Sequence, residues 1–233
     1  MKDPKILIII PAFNEQASIQ GVLSAVKKHL PVADIVVVND GSADSTALIA
    51  EKEGVVVLNH PYNMGIGATM QTGYKYASRK GYEIAVQVDA DGQHPADQIE
   101  KLIEPVVKGR ADLVVGSRFL GAGEYKPSLA RSAGISIFSN VVSAIIRERV
   151  TDTTSGFRAA GRRCIDFFAG HYPDDYPEVE ALVLLHKKGF SIMEVPVRMS
   201  EREGGRSSIT PIRSVYYMVK VLLAIFVDLL KKV

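Results

Sequence analysis

Ile84-Ala85-Val86-Gln87-Val88-Asp89-Ala90-Asp91-Gly92-Gln93 is a short, nearly apolar run that breaks into acid, glycine and amide. Similar apolar runs occur at residues 6–10, 35–38, 55–58 and 113–115. Runs this short and this rich in Val, Ile and Leu read as strands buried on both faces, the signature of a parallel sheet. The segments between them, at 15–29, 43–52, 67–80 and 96–108, carry spaced apolar residues and basic C-terminal ends. They read as amphipathic crossover helices. The alternation predicts an α/β fold, a Rossmann-like, mostly parallel sheet flanked by helices. After about residue 116 the rhythm changes to a glycine-rich stretch, a long helix near 129–149, a Thr/Ser/Gly turn at 151–156, further helices, and a strand near 191–197. With no repeat or linker in that half, it is expected to pack on the same sheet.

Composition limits the possible functions. The chain has 233 residues, 47% of them hydrophobic, enough for one sizeable core. Its 28 basic and 26 acidic residues nearly cancel, so nothing in the charge points to nucleic acid as a partner. A single cysteine, Cys164, rules out an internal disulfide and fits a reducing compartment, and no Cys/His cluster has zinc-ligand spacing. The apolar run 6–10 is too short for a secretory signal, and no uncharged apolar run reaches the ~20 residues that span a bilayer.

In an open α/β sheet, ligands bind beyond the carboxyl ends of the strands. The residues placed there are Pro11-Ala12-Phe13-Asn14-Glu15, Asn39-Asp40-Gly41-Ser42, 59–67, Asp89-Ala90-Asp91-Gly92-Gln93 and Gly116-Ser117-Arg118. They are expected to form one site. Asp89 and Asp91 leave a strand at alternate positions, so both carboxylates can approach one hard divalent cation, Mg2+ or Mn2+. Asp-Ala-Asp-Gly also reads as a plain Asx turn. Asp40 suits either a ribose or base contact or the N-cap of the following helix. Asn63-Met64-Gly65-Ile66-Gly67 is neither a P-loop nor a G-x-G-x-x-G motif, and reads as a turn.

Taken in order, these motifs, with Asp152-Thr153-Thr154-Ser155-Gly156-Phe157-Arg158 and residues 202–207, resemble family 2 glycosyltransferases of the GT-A fold. Within that family the chain is most similar to the dolichyl- and polyprenyl-phosphate sugar transferases. The resemblance implies a nucleotide-sugar donor, a polyprenyl phosphate acceptor and a Mg2+ or Mn2+ ion. It assigns Pro11, Phe13, Glu15 and Asp40 to the nucleoside, Asp89 to the ribose or sugar, and Asp91 with Gln93 to the metal. It assigns Arg118 and Arg131 to acceptor phosphate and Arg202 to a loop that closes over the donor, although any of these arginines also reads as surface solvation. Asp89, Asp91, Gln93 and Arg118 form the implied catalytic set.

An acceptor phosphate is already anionic near neutral pH, its second pKa being about 6, and needs no base. A saccharide hydroxyl would need one, and Glu178 or Glu180 is the candidate; both also read as acids complementing a helix dipole. Processive synthases of the family carry Q-x-x-R-W, and a chain without tryptophan argues against that activity. A saccharide-directed transferase, a nucleotide-sugar binding module without catalysis, and nucleotidyl transfer remain as alternatives.

Residues 1–210 are expected to form the catalytic domain. Residues 211–233 read as an amphipathic helix, with Val215, Met218, Val219, Leu222, Phe226, Leu229 and Leu230 at helical spacing. That helix suits a membrane interface, a small membrane protein, or packing in a homo-oligomer. The expected location is the cytoplasm, peripheral to the cell membrane.

Overall fold

The computed structural model describes residues 4–120, 129–147, 149–174 and 177–200, without the side chains of 129–135. The segment 201–233, which holds Arg202, the expected domain boundary and the amphipathic helix, lies outside the described residues.

Seven strands form one sheet in the order β3-β2-β1-β4-β6-β5-β7. They are β1 Ile6–Ala12, β2 Asp34–Asn39, β3 Val56–Asn59, β4 Ile84–Gln87, β5 Leu113–Ser117, β6 Arg158–Gly161 and β7 Ile192–Pro196. The helices are α1 Ile19–His29, α2 Thr46–Lys52, α3 Ile66–Arg79, α4 Ile99–Val107, α5 Leu129–Ile146, α6 Arg162–Gly170 and α7 Pro177–Lys187.

The period-two geometry of a strand sends alternate residues to opposite faces, and this sheet buries both. Leu7 and Ile9 of β1, with Val36 and Val38 of β2, pack under Met70 and Tyr74 of α3, Phe168 of α6 and Leu182 of α7. Ile6, Ile8, Ile10 and Val37 face the other way, against Val22 and Leu23 of α1 and Leu102 of α4. Each fully buried side chain of this size stabilises the fold by about 1.5–3 kcal/mol, which is why the apolar runs stood out in the sequence.

The register places the functional loops. Ile8 lies opposite Ile35 and Val86, in parallel pairs, so β2, β1 and β4 end side by side. The second half joins the same sheet as expected, with one unforeseen element. β6 runs antiparallel to both β4 and β5, pairing Val86 with Ala159 and Val114 with Ala159. Its Arg-Ala-Ala-Gly sequence has no branched apolar residue and does not announce a strand. The reversal delivers residues 152–157 to the mouth of β4.

Candidate active site

A cleft of about 370 Å³ opens at the carboxyl ends of these strands, a volume typical of small-ligand sites. The end of β1 supplies Pro11 and Ala12, the loop after it Phe13 and Glu15, and the loop after β2 supplies Asp40. The turn into α3 adds Asn63 and Gly65 and the first turn of α3 adds Ile66 and Thr69, while β4 and its loop add Gln87, Asp89, Ala90 and Asp91. Gly116-Ser117-Arg118, expected as a further wall, is not part of the lining; Glu178 at the start of α7 is.

The nucleoside-side residues are held by a web of loop bonds. Asn14 sits at φ 55°, its N–H donating to Ser42 Oγ at 2.9 Å and its Oδ1 accepting from Ala43 N at 2.8 Å. The Glu15 N–H donates to Thr46 Oγ1 at 2.8 Å, and Ser18 Oγ donates to Glu15 Oε2 at 2.9 Å. Phe13 is left on the rim, 45% exposed.

Asp40 is buried and acts as a clamp. Its Oδ1 contacts His60 Nδ1 and accepts from Met64 N, both at 2.8 Å, and its Oδ2 accepts from Gly65 N at 2.9 Å. The carboxylate thereby fixes the turn that carries Asn63 and Gly65 into the cleft. Gly41, at φ +69°, passes so close to Tyr62 that a Cβ would lie 2.5 Å from its carbonyl carbon. No other residue fits that conformation and that contact together.

At the mouth of β4, Asp89 and Asp91 face the same cleft. Asp89 Oδ1 accepts from Gln87 Nε2 at 3.1 Å, and Asp91 Oδ1 accepts from the Gln93 N–H at 3.0 Å. The side chain of Asp89 is 35% exposed, so it remains reachable by a ligand. The Ser155-Gly156-Phe157 turn lies over it: a Cβ on Gly156 would be 2.8 Å from Gln87 Nε2 and 3.4 Å from Asp89 Oδ2. Among the described residues no three His, Cys, Asp or Glu side chains gather into a metal cage. A pair of carboxylates beside open space fits Mg2+ or Mn2+, which keep waters and take phosphate oxygens for their remaining positions.

The positions of the other candidates follow from helix and loop geometry. Glu178 and Glu180 stand two apart on α7, which points them in different directions, and Glu178 is the one lining the cleft. Burial pushes the Glu178 carboxyl above its ordinary range; the Arg158 charge opposes this and the Asp89 charge adds to it. Arg158 is buried, its guanidinium donating to the carbonyls of Ser155 at 2.7 Å, Thr153 at 3.4 Å and Glu178 at 2.6 Å.

Arg118 makes a bidentate pair with Asp152, Nε to Oδ2 at 2.6 Å and one terminal nitrogen to Oδ1 at 2.7 Å, and also donates to Thr154 Oγ1 at 2.8 Å. Asp152 and Thr151 donate their backbone N–H groups to Glu194 on β7. Arg131 lies on α5 with its side chain outside the described residues, as is all of Arg202. Gln87, His94 and Arg158 were not singled out individually from the sequence. Gln87 is a lone polar residue in an apolar run, and that was the one available signal.

Among the described residues no helix is long and apolar enough to cross a membrane. Residues 7–168 match the model of the family described as "Glycosyl transferase family 2". The chain is 33% identical over 218 residues to the UDP-N-acetylglucosamine–dolichyl-phosphate N-acetylglucosaminyltransferase of Methanococcus voltae, covering 85% of this chain and 86% of that one. It is 31% identical over 214 residues to the polyprenol monophosphomannose synthase of Mycolicibacterium smegmatis, covering 88% and 80%. The crystal structure of glucosyl-3-phosphoglycerate synthase from Mycobacterium tuberculosis, in complex with Mn2+, UDP and glucosyl-3-phosphoglycerate, shares the fold. Its TM-score is 0.74 at 20% identity, over 97% of this chain and 79% of that one. The chain belongs to glycosyl transferase family 2 and is a glycosyltransferase.

Proposed function

We propose that this glycosyltransferase moves a sugar, with inversion, from a UDP- or GDP-sugar to a polyprenyl phosphate, undecaprenyl or dolichyl, at the cytoplasmic face of the membrane. The observation that carries the reading is the pair Asp89 and Asp91 on the floor of a cleft bounded by the loops after β1, β2 and β3. A nucleoside diphosphate needs room for its base and ribose and a cation for its phosphates; the open cleft supports the first, and its two carboxylates support the second as ligands for that cation. The relatives named above, whose own names specify dolichyl phosphate and a polyprenol phosphosugar, support the choice of acceptor.

In this reading Pro11, Phe13, Glu15 and Asp40 form the nucleoside side, Asp40 chiefly through the turn it holds. Asp91 and Gln93 would hold the Mg2+ or Mn2+ ion, with Asp89 beside them toward the ribose and sugar. The ion supplies positive charge where the departing diphosphate gathers negative charge. Arg118 keeps Asp152 and its turn in place over Asp89, and Arg131 and Arg202 meet phosphate. The acceptor attacks through a phosphate oxygen that is already anionic, so Glu178 has no proton to remove.

A second reading, transfer to a saccharide hydroxyl, is favoured by one feature: Glu178 stands in the cleft where a base would be needed. The product separates the two. A polyprenyl phosphosugar is labile to mild acid, and an ordinary glycoside survives it.

Residues 211–233 are proposed to lay an apolar helical face on the membrane surface or on a small membrane protein. The donor site is tested by a thermal-shift screen of nucleoside diphosphates with Mn2+, since a ligand that binds only the native state raises the melting temperature by mass action. UDP or GDP with Mn2+ is expected to stabilise the wild type and not Asp91→Ala. Equal shifts in both proteins would remove Asp91 from the site.

A further inference from the structure

We propose that His94 is a positioning residue that fixes the metal-binding loop, accepting the backbone N–H of Asp89 and lying beside its carboxylate. The inference rests on the metal reading above and adds to it a residue outside the proposed ligand set.

His94 is 6% exposed and lies almost flat on Phe157, ring centroids 4.7 Å apart and planes 11° from parallel. Its Nδ1 accepts the backbone N–H of Asp89 at 3.0 Å. A ring nitrogen that accepts carries no proton, so the imidazole hydrogen sits on Nε2. That nitrogen lies 3.6 Å from Asp89 Oδ2, beyond direct hydrogen-bond length but near enough for the N–H dipole to attract the carboxylate. The side chain thus closes the loop 89–94 back on its own first residue, with Asp91 and Gln93 inside the closed segment.

Two further contacts complete the frame. Gln87 donates to the other Asp89 oxygen, and the Gln93 carbonyl accepts from Ser200 N at 3.0 Å. The loop is therefore tied to β4 at one end and to the chain beyond β7 at the other. The Phe157 stack explains why the antiparallel β6 matters to the site, since it brings in the surface on which the imidazole rests. A buried polar ring at this place has a chemical purpose: phenylalanine would stack equally well on Phe157 and would leave the Asp89 N–H without a partner.

Residues that orient metal ligands without touching the metal typically change its affinity by roughly 10- to 100-fold when removed. The experiment compares wild type, His94→Phe, His94→Asn and His94→Gln for Mn2+ binding in the presence of UDP or GDP, read by electron paramagnetic resonance of the bound ion. His94→Phe keeps the stack and removes both nitrogens, and is expected to weaken Mn2+ binding roughly 10- to 100-fold. Asparagine can place its amide oxygen near the position of Nδ1, so His94→Asn is expected to recover most of that loss. Glutamine reaches toward Nε2 and misses Nδ1, so His94→Gln is expected to resemble the phenylalanine variant. It also decides the matter if His94→Phe does not fold.

Wild-type Mn2+ affinity in folded His94→Phe or His94→Gln would overturn the inference while leaving the metal reading intact. Equal weakening in His94→Asn and His94→Phe would also overturn it, by showing that Nδ1 is not the group that matters. A wild-type protein that binds no Mn2+ with either diphosphate would overturn the metal reading, and this inference with it.

Discussion

Replacing Arg118 with alanine tests whether this arginine holds the site together or serves as an exposed phosphate ligand. The side chain of Asp152 is wholly buried and that of Arg118 nearly so. In Arg118→Ala the Asp152 carboxylate would keep the residue 118 backbone N–H at 3.1 Å and the Thr154 hydroxyl at 3.3 Å, and lose its counter-charge. Stranding one charge of a buried pair costs about 3–5 kcal/mol. In a domain of this size each kcal/mol lowers the melting temperature by about 2–4 °C, so the variant should melt roughly 6–20 °C below wild type. Thermal unfolding followed by circular dichroism, without nucleotide, reads this directly. The double variant Arg118→Met with Asp152→Leu leaves no orphan charge, and should melt above either single variant. If Arg118→Ala melts within about 2 °C of wild type, the pair carries no structural weight and the guanidinium must serve a ligand instead.

Glu178→Gln should keep sugar transfer to a lipid phosphate within a few-fold. Loss of roughly 100-fold or more would identify Glu178 as a general base and favour the hydroxyl acceptor. A carboxyl whose native value lies above its unfolded one binds its proton more tightly when folded. The stability it contributes is therefore complete below the unfolded value and lost as pH rises through the native value. Wild type should lose more stability than Glu178→Gln across that window, as denaturant melts at a series of pH values will show; parallel curves would remove the burial argument. Asp40→Ala strands the Met64 and Gly65 N–H groups and should cost about 2–4 kcal/mol, together with nucleotide binding in calorimetry. Unchanged binding would mean that the 60–65 turn needs no clamp. Gly156→Ala should fold yet raise the KM for the metal or lower kcat, because its methyl group collides with Gln87 and crowds Asp89; wild-type kinetics would show that the loop yields easily.

The parallel part of the fold was legible because its strands are buried on both faces. Ile6 through Ile10 and Ile35 through Val38 must be apolar at every position, and such runs are hard to mistake. β6 was not legible, because Ala159, Ala160 and Gly161 are small residues that carry no branched or aromatic strand signal, and they are buried or packed against α4. For Gly161, a Cβ would already meet Val106 at 3.1 Å. Most of the cleft could be read by taking the residues after each strand, a rule that depends only on topology. Arg118 is not among the residues lining the cleft; at that strand end it meets the buried acid Asp152. That pairing depends on residues 34 positions apart, and no local pattern reveals it. Asp40 shows the same limit: its residue type suited a ribose contact or a helix cap, and it turned out to clamp a turn more than twenty residues away.

The most direct measurement offers purified protein a panel of radiolabelled UDP- and GDP-sugars with undecaprenyl phosphate, with Mn2+ or with excess chelator. The account predicts label in the organic phase from one donor, released by mild acid, abolished by chelator and absent with Asp91→Ala. Transfer that continues undiminished in chelator, or an acid-stable product, would contradict it.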